Sequence, residues 1–512
     1  MLFVRPSSGL TKAITMKTGW AVAIASMMLP YLYSLVPIMP NVFPGVSIGL
    51  SFAIAGFFVF VEAFAAALLL CAMPRSGGMY VTVARGLGPI FGMMELWRSG
   101  LNTAVLTGLS AYLMIQSIGS SFSVVGTLIK DPGYASIGTW MSTVVVAAAL
   151  AIVVLALIHA LHYFGPHLDA IIMTTFMVVV IVALLIMIGL FASTTPAMLQ
   201  GKWDVVFGAG SYNSIVEAGT KAGWKPVPFD MSQTALSIPW STTMAAYSLI
   251  VYAGEVQEPS RTIFYSSMIG GVVYPILWFL LGSTFQSSYG GFIGYYNAVA
   301  FAGGSVPFAS NLATFAGVLA GSPMLTAFLI LTPAFGVIGS LPGQGVGWVA
   351  RTIHAASMDR FMPAFYARTS KYGSPIAAVW LFSFPISVIS AIGSAQGWYI
   401  IIGVSYIATW AMVRWWWNLT EIMLPYARPH IYNQSARRPS IGGFPAIVIA
   451  GIISGCCNMF LVFSWAKTFT VDSIIANVMI YAIGIVWYAA YSAYNAKKGF
   501  DVDKIFTELP PD

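Results

Sequence analysis

The sequence predicts an all-α membrane protein of about twelve transmembrane helices, and three observations carry that prediction. Hydrophobic residues make up 58% of the 512-residue chain and charged residues only 8%, against about 25% charged in a soluble domain. A water-soluble chain of this length keeps too much surface in contact with solvent to hide so much apolar side chain. Apolar stretches recur along the chain, and the basic residues between them fall mostly on one side. Each crossing needs about 20 apolar residues, because lipid offers no partner to an exposed backbone N–H or C=O.

In chain order the stretches run over 19–40, 46–73, 89–121, 138–161, 167–193, 239–254, 265–287, 322–350, 376–394, 398–422, 443–465 and 472–494. The first is too long for the core of a signal peptide, and no small-residue cleavage site follows it. Residues 1–18 and 495–512 read as polar tails, 194–238 as an extracellular loop or small cap, and 423–442 as a cytoplasmic loop. The 288–321 segment has almost no charge and is rich in Gly, Phe and Tyr, so it is expected to fold back onto the helices. Twelve spans put both termini on one side. Arg75, Arg85, Arg261, Arg351, Arg414 and the cations of both tails lie in one set of loops, whereas the other set carries Lys130, Lys202, Lys221, Lys225 and Lys467. Basic loops stay cytoplasmic. Both termini are therefore expected in the cytoplasm, in a multi-pass protein of the cell (plasma) membrane.

Several functions are disfavoured. The net charge of +7 is scattered singly over short loops, with no basic patch for nucleic acid. Cys71, Cys456 and Cys457 sit in apolar runs and show neither metal spacing nor a disulfide framework. No metalloprotease, Walker or nucleophile-elbow motif occurs, so an enzyme is not expected. His159, His162 and His167 cluster between spans four and five, where a short interfacial loop accounts for them and no metal site is assigned.

Ionisable residues at membrane depth are informative, because an ionised carboxylate there costs several kcal/mol unless it is paired, faces a cavity or takes up a proton. Glu62 lies in the middle of span two and is either a proton-coupling carboxylate or a packing residue held neutral. Glu95 and Arg98, three apart on span three, read as an ion pair. Span one contains Pro30, Pro37 and Pro40 with Ser26 and Ser34, and span six reads Pro239-Trp-Ser-Thr-Thr-Met-Ala-Ala-Tyr-Ser248. Interrupted helices at matching positions of two five-helix halves expose N–H and C=O groups at mid-depth, where a zwitterion can be held.

Three segments then stand out: Met73-Pro-Arg-Ser-Gly-Gly-Met-Tyr80 with Ala84-Arg-Gly-Leu-Gly-Pro89, Glu255-Val-Gln-Glu-Pro-Ser-Arg-Thr-Ile263, and Ala350-Arg351 with Met358-Asp-Arg-Phe-Met-Pro363. In this order, each after its expected span, they resemble the loops of the amino acid–polyamine–organocation (APC) superfamily of permeases. The resemblance covers about residues 20–425. It implies the LeuT-type arrangement of two inverted five-helix repeats, 19–193 and 239–422, with two C-terminal helices over 443–494. It also implies a substrate held between spans one, three, six, eight and ten.

The family's glycine-rich break in span one corresponds to Ala25-Ser-Met-Met-Leu-Pro-Tyr31, which lacks the glycines. Its Gly-Phe-Glu in span six falls near Ala245-Ala-Tyr247. The lysine that proton-coupled relatives carry in span five would fall near Val180, and that span has no lysine. Leu68 stands where a family glutamate precedes Met-Pro-Arg.

The implied activity is secondary active transport of a small neutral amino acid by alternating access. A polyamine or other organic amine is the alternative substrate, and a channel or a non-transporting sensor the alternative class. Ser26, Met27, Met28, Thr242 and Thr243 are expected at the carboxylate, with Tyr31, Ala245, Tyr247 and Tyr252 around the side chain. Coupling is left open between a proton on Glu62, a sodium ion with Ser340 as one ligand, and plain exchange. Arg75, Glu255 and Arg261 are expected in a cytoplasmic gate or a structural loop. No cofactor is expected beyond a coupling H+ or Na+, and the partners are the substrate and the lipid bilayer.

Overall fold

The computed structural model describes residues 8–25, 31–242, 247–398, 414–466 and 470–509. Among these, nine helices are long and apolar enough to cross a membrane, and each falls on an expected stretch. The three remaining stretches, the first, sixth and tenth, are interrupted or lie partly outside the described residues.

Span one is two helices, α1 (Met16–Ala23) and α2 (Tyr31–Val42). α3 (Ile48–Ala72) starts at Ser47, whose hydroxyl accepts the Leu50 amide at 3.4 Å. α4 (Gly78–Gly86) leads to α5 (Pro89–Ile129), which opens on proline, a residue with no N–H to leave unsatisfied. α6 (Pro132–Met141), α7 (Val144–Leu161) and α8 (Pro166–Ala192) follow. α9 (Pro196–Phe207) and α10 (Ser211–Lys221) form a cap, and α11 (Met231–Ser241) precedes a 3-10 helix over Ser248–Glu255. α12 (Pro259–Tyr289) is followed by the short α13 (Phe292–Phe301) and α14 (Leu312–Leu319). Span eight is composite: α15 (Pro323–Ile330), α16 (Thr332–Ser340), a π-helical turn over Leu341–Gly347, and α17 (Trp348–Met358). Ile376–Trp398, a helix over 414–427, Ala446–Trp465 and Val471–Lys497 complete the bundle.

Three boundaries differ from expectation for identifiable reasons. α11 begins at Met231, not 239, because Asp230 caps it by accepting the Ser232 amide at 2.7 Å, and Pro239 lies inside the helix. The polar sequence of that first turn hid it from a reading by hydropathy. α5 continues past 121 to Ile129 because its serines do not interrupt the backbone ladder. The first motif segment, expected as a surface loop, contains α4, every residue of which is buried.

Close approach between helices uses small residues, as it must where lipid supplies no hydrophobic drive for association. α3 packs along α12, where a β-carbon at Gly56 would lie 2.7 Å from Pro275. Ser387 and Ser390 donate to the carbonyls of Ala104 and Val105 at 2.9 and 2.6 Å, fastening Ile376–Trp398 to α5. The outer faces of α7 and α8 expose Val153, Leu157, Ile171, Val178 and Leu185, an apolar surface suited to lipid. Residues 8–14 and the helix over Val502–Thr507 both pack against the end that carries the three motif segments, here called the motif end.

Candidate functional site

Two helices stop at matching places. α1 ends at Ala23 and α2 starts at Tyr31; α11 ends at Ser241 and the 3-10 helix starts at Ser248. The π turn of span eight packs against the second of these breaks. A π turn is wider than an α turn and is a frequent mark of functional sites. Here Leu341-Pro-Gly-Gln-Gly-Val-Gly347 supplies it. A side chain on Gly347 would strike the Tyr252 hydroxyl, and a β-carbon on Gly345 would sit 2.7 Å from the Thr107 hydroxyl of α5. Gly343 faces Met173 of α8 and Ala25 beyond α1. Spans one, three, five and six therefore converge on one turn of span eight.

The polar groups at this junction are few. Ser248 donates to Gln344 Oε1 at 3.2 Å, and Tyr252 donates to the Pro342 carbonyl at 2.8 Å. Gln344 is 1% exposed, and its amide nitrogen Nε2 has no hydrogen-bond partner among the described residues. An orphaned buried donor is costly unless something completes it. A ligand carboxylate is one group that would do so.

Below the junction, toward the motif end, lies a buried charge network. Arg351 of α17 donates to Glu255 Oε1 and Oε2 at 2.6 and 2.8 Å and meets His162 Nε2 at 2.9 Å. His162 Nδ1 lies 3.0 Å from Asp169, and the guanidinium of Arg351 covers the Tyr252 ring at 3.9 Å. Ser76 of the first motif segment donates to Glu255 at 3.1 Å. Gly77 and Gly78 make this approach possible with positive φ, 122° and 66°. The tail closes over the network: the amides of Ala13 and Ile14 donate to the Glu255 carbonyl, and Ser8 O meets His354 Nε2 at 3.1 Å. Beside it Arg85 grips Asp359 with two bonds of 2.7 Å, and Tyr80 donates to the same carboxylate.

At the opposite end the closure is neutral. Asn297 of α13 donates to the Pro37 carbonyl of α2 at 2.7 Å and to Asn41 at 3.2 Å, and accepts from Ser310. Tyr296, Trp203, Phe308 and Phe315 pack around it, so the 288–321 segment does fold back onto the bundle. Inside this closure a cavity of about 210 Å³ is lined by Ser34, Tyr112, Gln116, Asn311 and Thr314. It begins about one and a half turns beyond Thr107 along α5. A larger cleft of about 400 Å³, against Trp224, Phe229 and Gln286, lies under the cap and away from both breaks.

The expected site residues fall as follows. Ser26, Met27, Met28, Thr243 and Ala245, and the side chain of Tyr31, lie outside the described residues. Thr242 ends α11, buried, its hydroxyl on the Pro239 carbonyl at 3.0 Å. Tyr247 opens the 3-10 helix, its ring edge-on to Trp417 at 4.7 Å. Tyr252, expected beside the substrate, spans the junction and the network: its hydroxyl is on the Pro342 carbonyl of the π turn and its ring lies under Arg351. Ser340 is buried, and its hydroxyl turns back to the Val337 carbonyl at 3.3 Å. Glu255 pairs with Arg351. Arg261 pairs instead with Glu258 at 3.5 Å, both largely exposed, so it stands outside the buried network. Arg75 is half-buried and donates to the Pro74 carbonyl at 3.2 Å. Glu95 and Arg98 bind each other inside α5.

Glu62 has a partner that sequence reasoning missed. Arg414, expected among the loop cations, is buried in the bundle with its Nε 2.8 Å from Glu62. Gln344 was also missed, although a proline and three glycines around a lone amide in an apolar span were a signal for it.

Nine long apolar helices among the described residues, with two interrupted spans beside a widened third, define a polytopic membrane protein with irregular backbone inside its bundle. The family model for amino acid permeases matches residues 14–490, and the chain belongs to that family, within the APC superfamily. Its fold is accordingly the all-α one of two inverted five-helix repeats with two further helices, and it is a transporter of amino acids or related organic compounds.

Proposed function

We propose that the protein carries a small neutral amino acid across the cell membrane by alternating access, with both termini in the cytoplasm. The observation that carries this reading is the orphaned Gln344 amide at the meeting of the span-six break and the π turn. Main-chain N–H groups near Ser26–Met28, the hydroxyls of Thr242 and Thr243, and Gln344 Nε2 receive the carboxylate. Freed carbonyls of spans one and six receive the ammonium, and Tyr31, Ala245 and Tyr247 border the side chain. Residues 20–40 and 239–254 contain no Asp, Glu, Lys or Arg, which favours a neutral side chain over a charged one.

In this reading the motif end is the closed cytoplasmic gate and the 210 Å³ cavity lies on the extracellular path. Opening the gate separates Arg351 from Glu255 and Asp169, a step that costs less when substrate binding has already drawn the two breaks together. Drive comes from a proton at Glu62 or from a sodium ion near Ser340, and without either the protein exchanges substrates.

Uptake of labelled amino acids and amines into liposomes holding the purified protein, under imposed proton or sodium gradients, tests the reading. Saturable uptake of neutral amino acids is expected. Uptake of amines alone overturns the substrate assignment, and no uptake, exchange or binding of any of them overturns transport.

A further inference from the structure

Behind Tyr247, away from the substrate junction, spans two, ten and eleven enclose a second polar cluster. Glu62 of α3 pairs with Arg414 at 2.8 Å. Two turns along the helix over 414–427, and so on the same face as Arg414, Glu421 is fully buried. Glu421 Oε2 accepts the Asn418 amide at 3.0 Å, while Oε1 has no hydrogen-bond partner among the described residues. Asn418 is itself held by Asn458, which donates to it at 2.6 Å, and by Ser454 at 3.0 Å. Gly451 presses on this carboxyl's stem, since a β-carbon there would lie 3.0 Å from Glu421 Cβ. The cluster is therefore built, with its amides fixed and one carboxyl oxygen left open.

Its charges do not balance. Two carboxylates face one guanidinium. On the neighbouring elements Arg85 is bound to Asp359, Arg98 to Glu95, and Arg428 directs its Nε to the Arg85 carbonyl. The other titratable groups nearby are Tyr247, Cys456 and Cys457, none of which brings positive charge. The undescribed residues 399–413 of span ten contain no Lys, Arg, His, Asp or Glu. A lone negative charge at this depth is expensive, and like carboxylates at one site resolve the cost by keeping a proton between them.

We propose that Glu62 and Glu421 share a single proton opposite Arg414, and that its binding from one side of the membrane and release to the other drives transport. Loaded, the cluster is neutral: one carboxylic acid, one carboxylate, one guanidinium. Release of the proton to water leaves one uncompensated negative charge. Tyr247 carries that change to the substrate site, because its ring meets Trp417 of the helix over 414–427 edge-on and it is the residue from which the 3-10 helix of span six starts. The driving role rests on the transporter reading; the shared proton does not.

Two measurements test the proposal. Infrared spectroscopy of the purified wild-type protein at neutral pH should show the carbonyl band of a buried protonated carboxyl group, and Glu421→Gln should lack it, since glutamine leaves one carboxylate matched to Arg414. No such band in the wild type, or the same band in both Glu421→Gln and Glu62→Gln, overturns the shared proton. In liposomes, an inward proton gradient should drive accumulation by the wild type, and Glu421→Gln should lose accumulation while retaining substrate exchange. Accumulation that survives in Glu421→Gln, or that follows a sodium gradient alone, overturns the driving role. If the wild type exchanges nothing, the transporter reading fails while the infrared result still decides the proton. If Glu421→Gln does not fold, the wild-type band and its loss in Glu62→Gln decide it.

Discussion

The two ends of the bundle are closed by different chemistry. At the motif end Glu255, Arg351, His162 and Asp169 are all buried, bound through ions and capped by the 8–14 tail. At the other end Asn41, Asn297 and Ser310 are joined by neutral hydrogen bonds inside a shell of aromatic rings. Charge pairs give a closure with few intermediate positions, since a buried ion that loses its partner has nowhere to hide. Amides and rings tolerate small displacements. In the proposed transport cycle the motif end is then a stiff gate and the opposite end a compliant one.

The largest effect expected on this contrast is from Arg351→Ala. It strands two buried carboxylates and should destabilise the sealed state by about 3–5 kcal/mol, read as a fall in thermal stability in detergent together with new accessibility at the motif end. Asn297→Ala at the other end strands only neutral groups and should cost about 1–3 kcal/mol, read in the same assay. Equal losses from the two variants would remove the distinction. Arg261→Ala, which breaks only an exposed pair with Glu258, should change stability by about 0–1 kcal/mol.

The smallest effect concerns the cap. The Tyr212 amide, and with it Ser211, holds the Asp204 carboxyl below the usual carboxylate range. A group depressed in this way stabilises the fold above its unfolded value, about 3.9, and the stabilisation fades as pH falls through the lower folded value. Hydrogen exchange at the start of α10 should therefore quicken on acidification beyond its intrinsic pH dependence, and in Asp204→Asn this extra change should vanish.

The same contrast separates what the sequence made legible from what it hid. Bilayer thickness sets helix length, so nine spans are readable with ends within eight residues of those observed, and proline with hydroxyl residues marks the breaks in spans one and six. Arg85, Glu255, Arg351 and Asp359 are visible as motif residues, but not as partners, because their pairing joins positions 274 and 96 residues apart. That is why Arg261 drew attention as a gate residue while the carboxylate of Glu255 had Arg351 to bind. Arg414 reads as a loop cation for the same reason: only packing of span ten on span two brings it to Glu62. The neutral end left almost no trace in the sequence, since Asn297 and Tyr296 lie in a segment without charge or motif.

The central claim is that the solute is gripped where the break in span six meets the π turn of span eight. Binding of a transported amino acid to Gln344→Ala and to Ser248→Ala tests it most directly. Each variant removes the bond between the two residues, but only the first removes the orphaned amide. A charged hydrogen bond of about 1.5–3 kcal/mol predicts roughly ten- to a hundredfold weaker binding in Gln344→Ala, with Ser248→Ala close to the wild type. Wild-type affinity in Gln344→Ala, with its fold intact, would contradict the account.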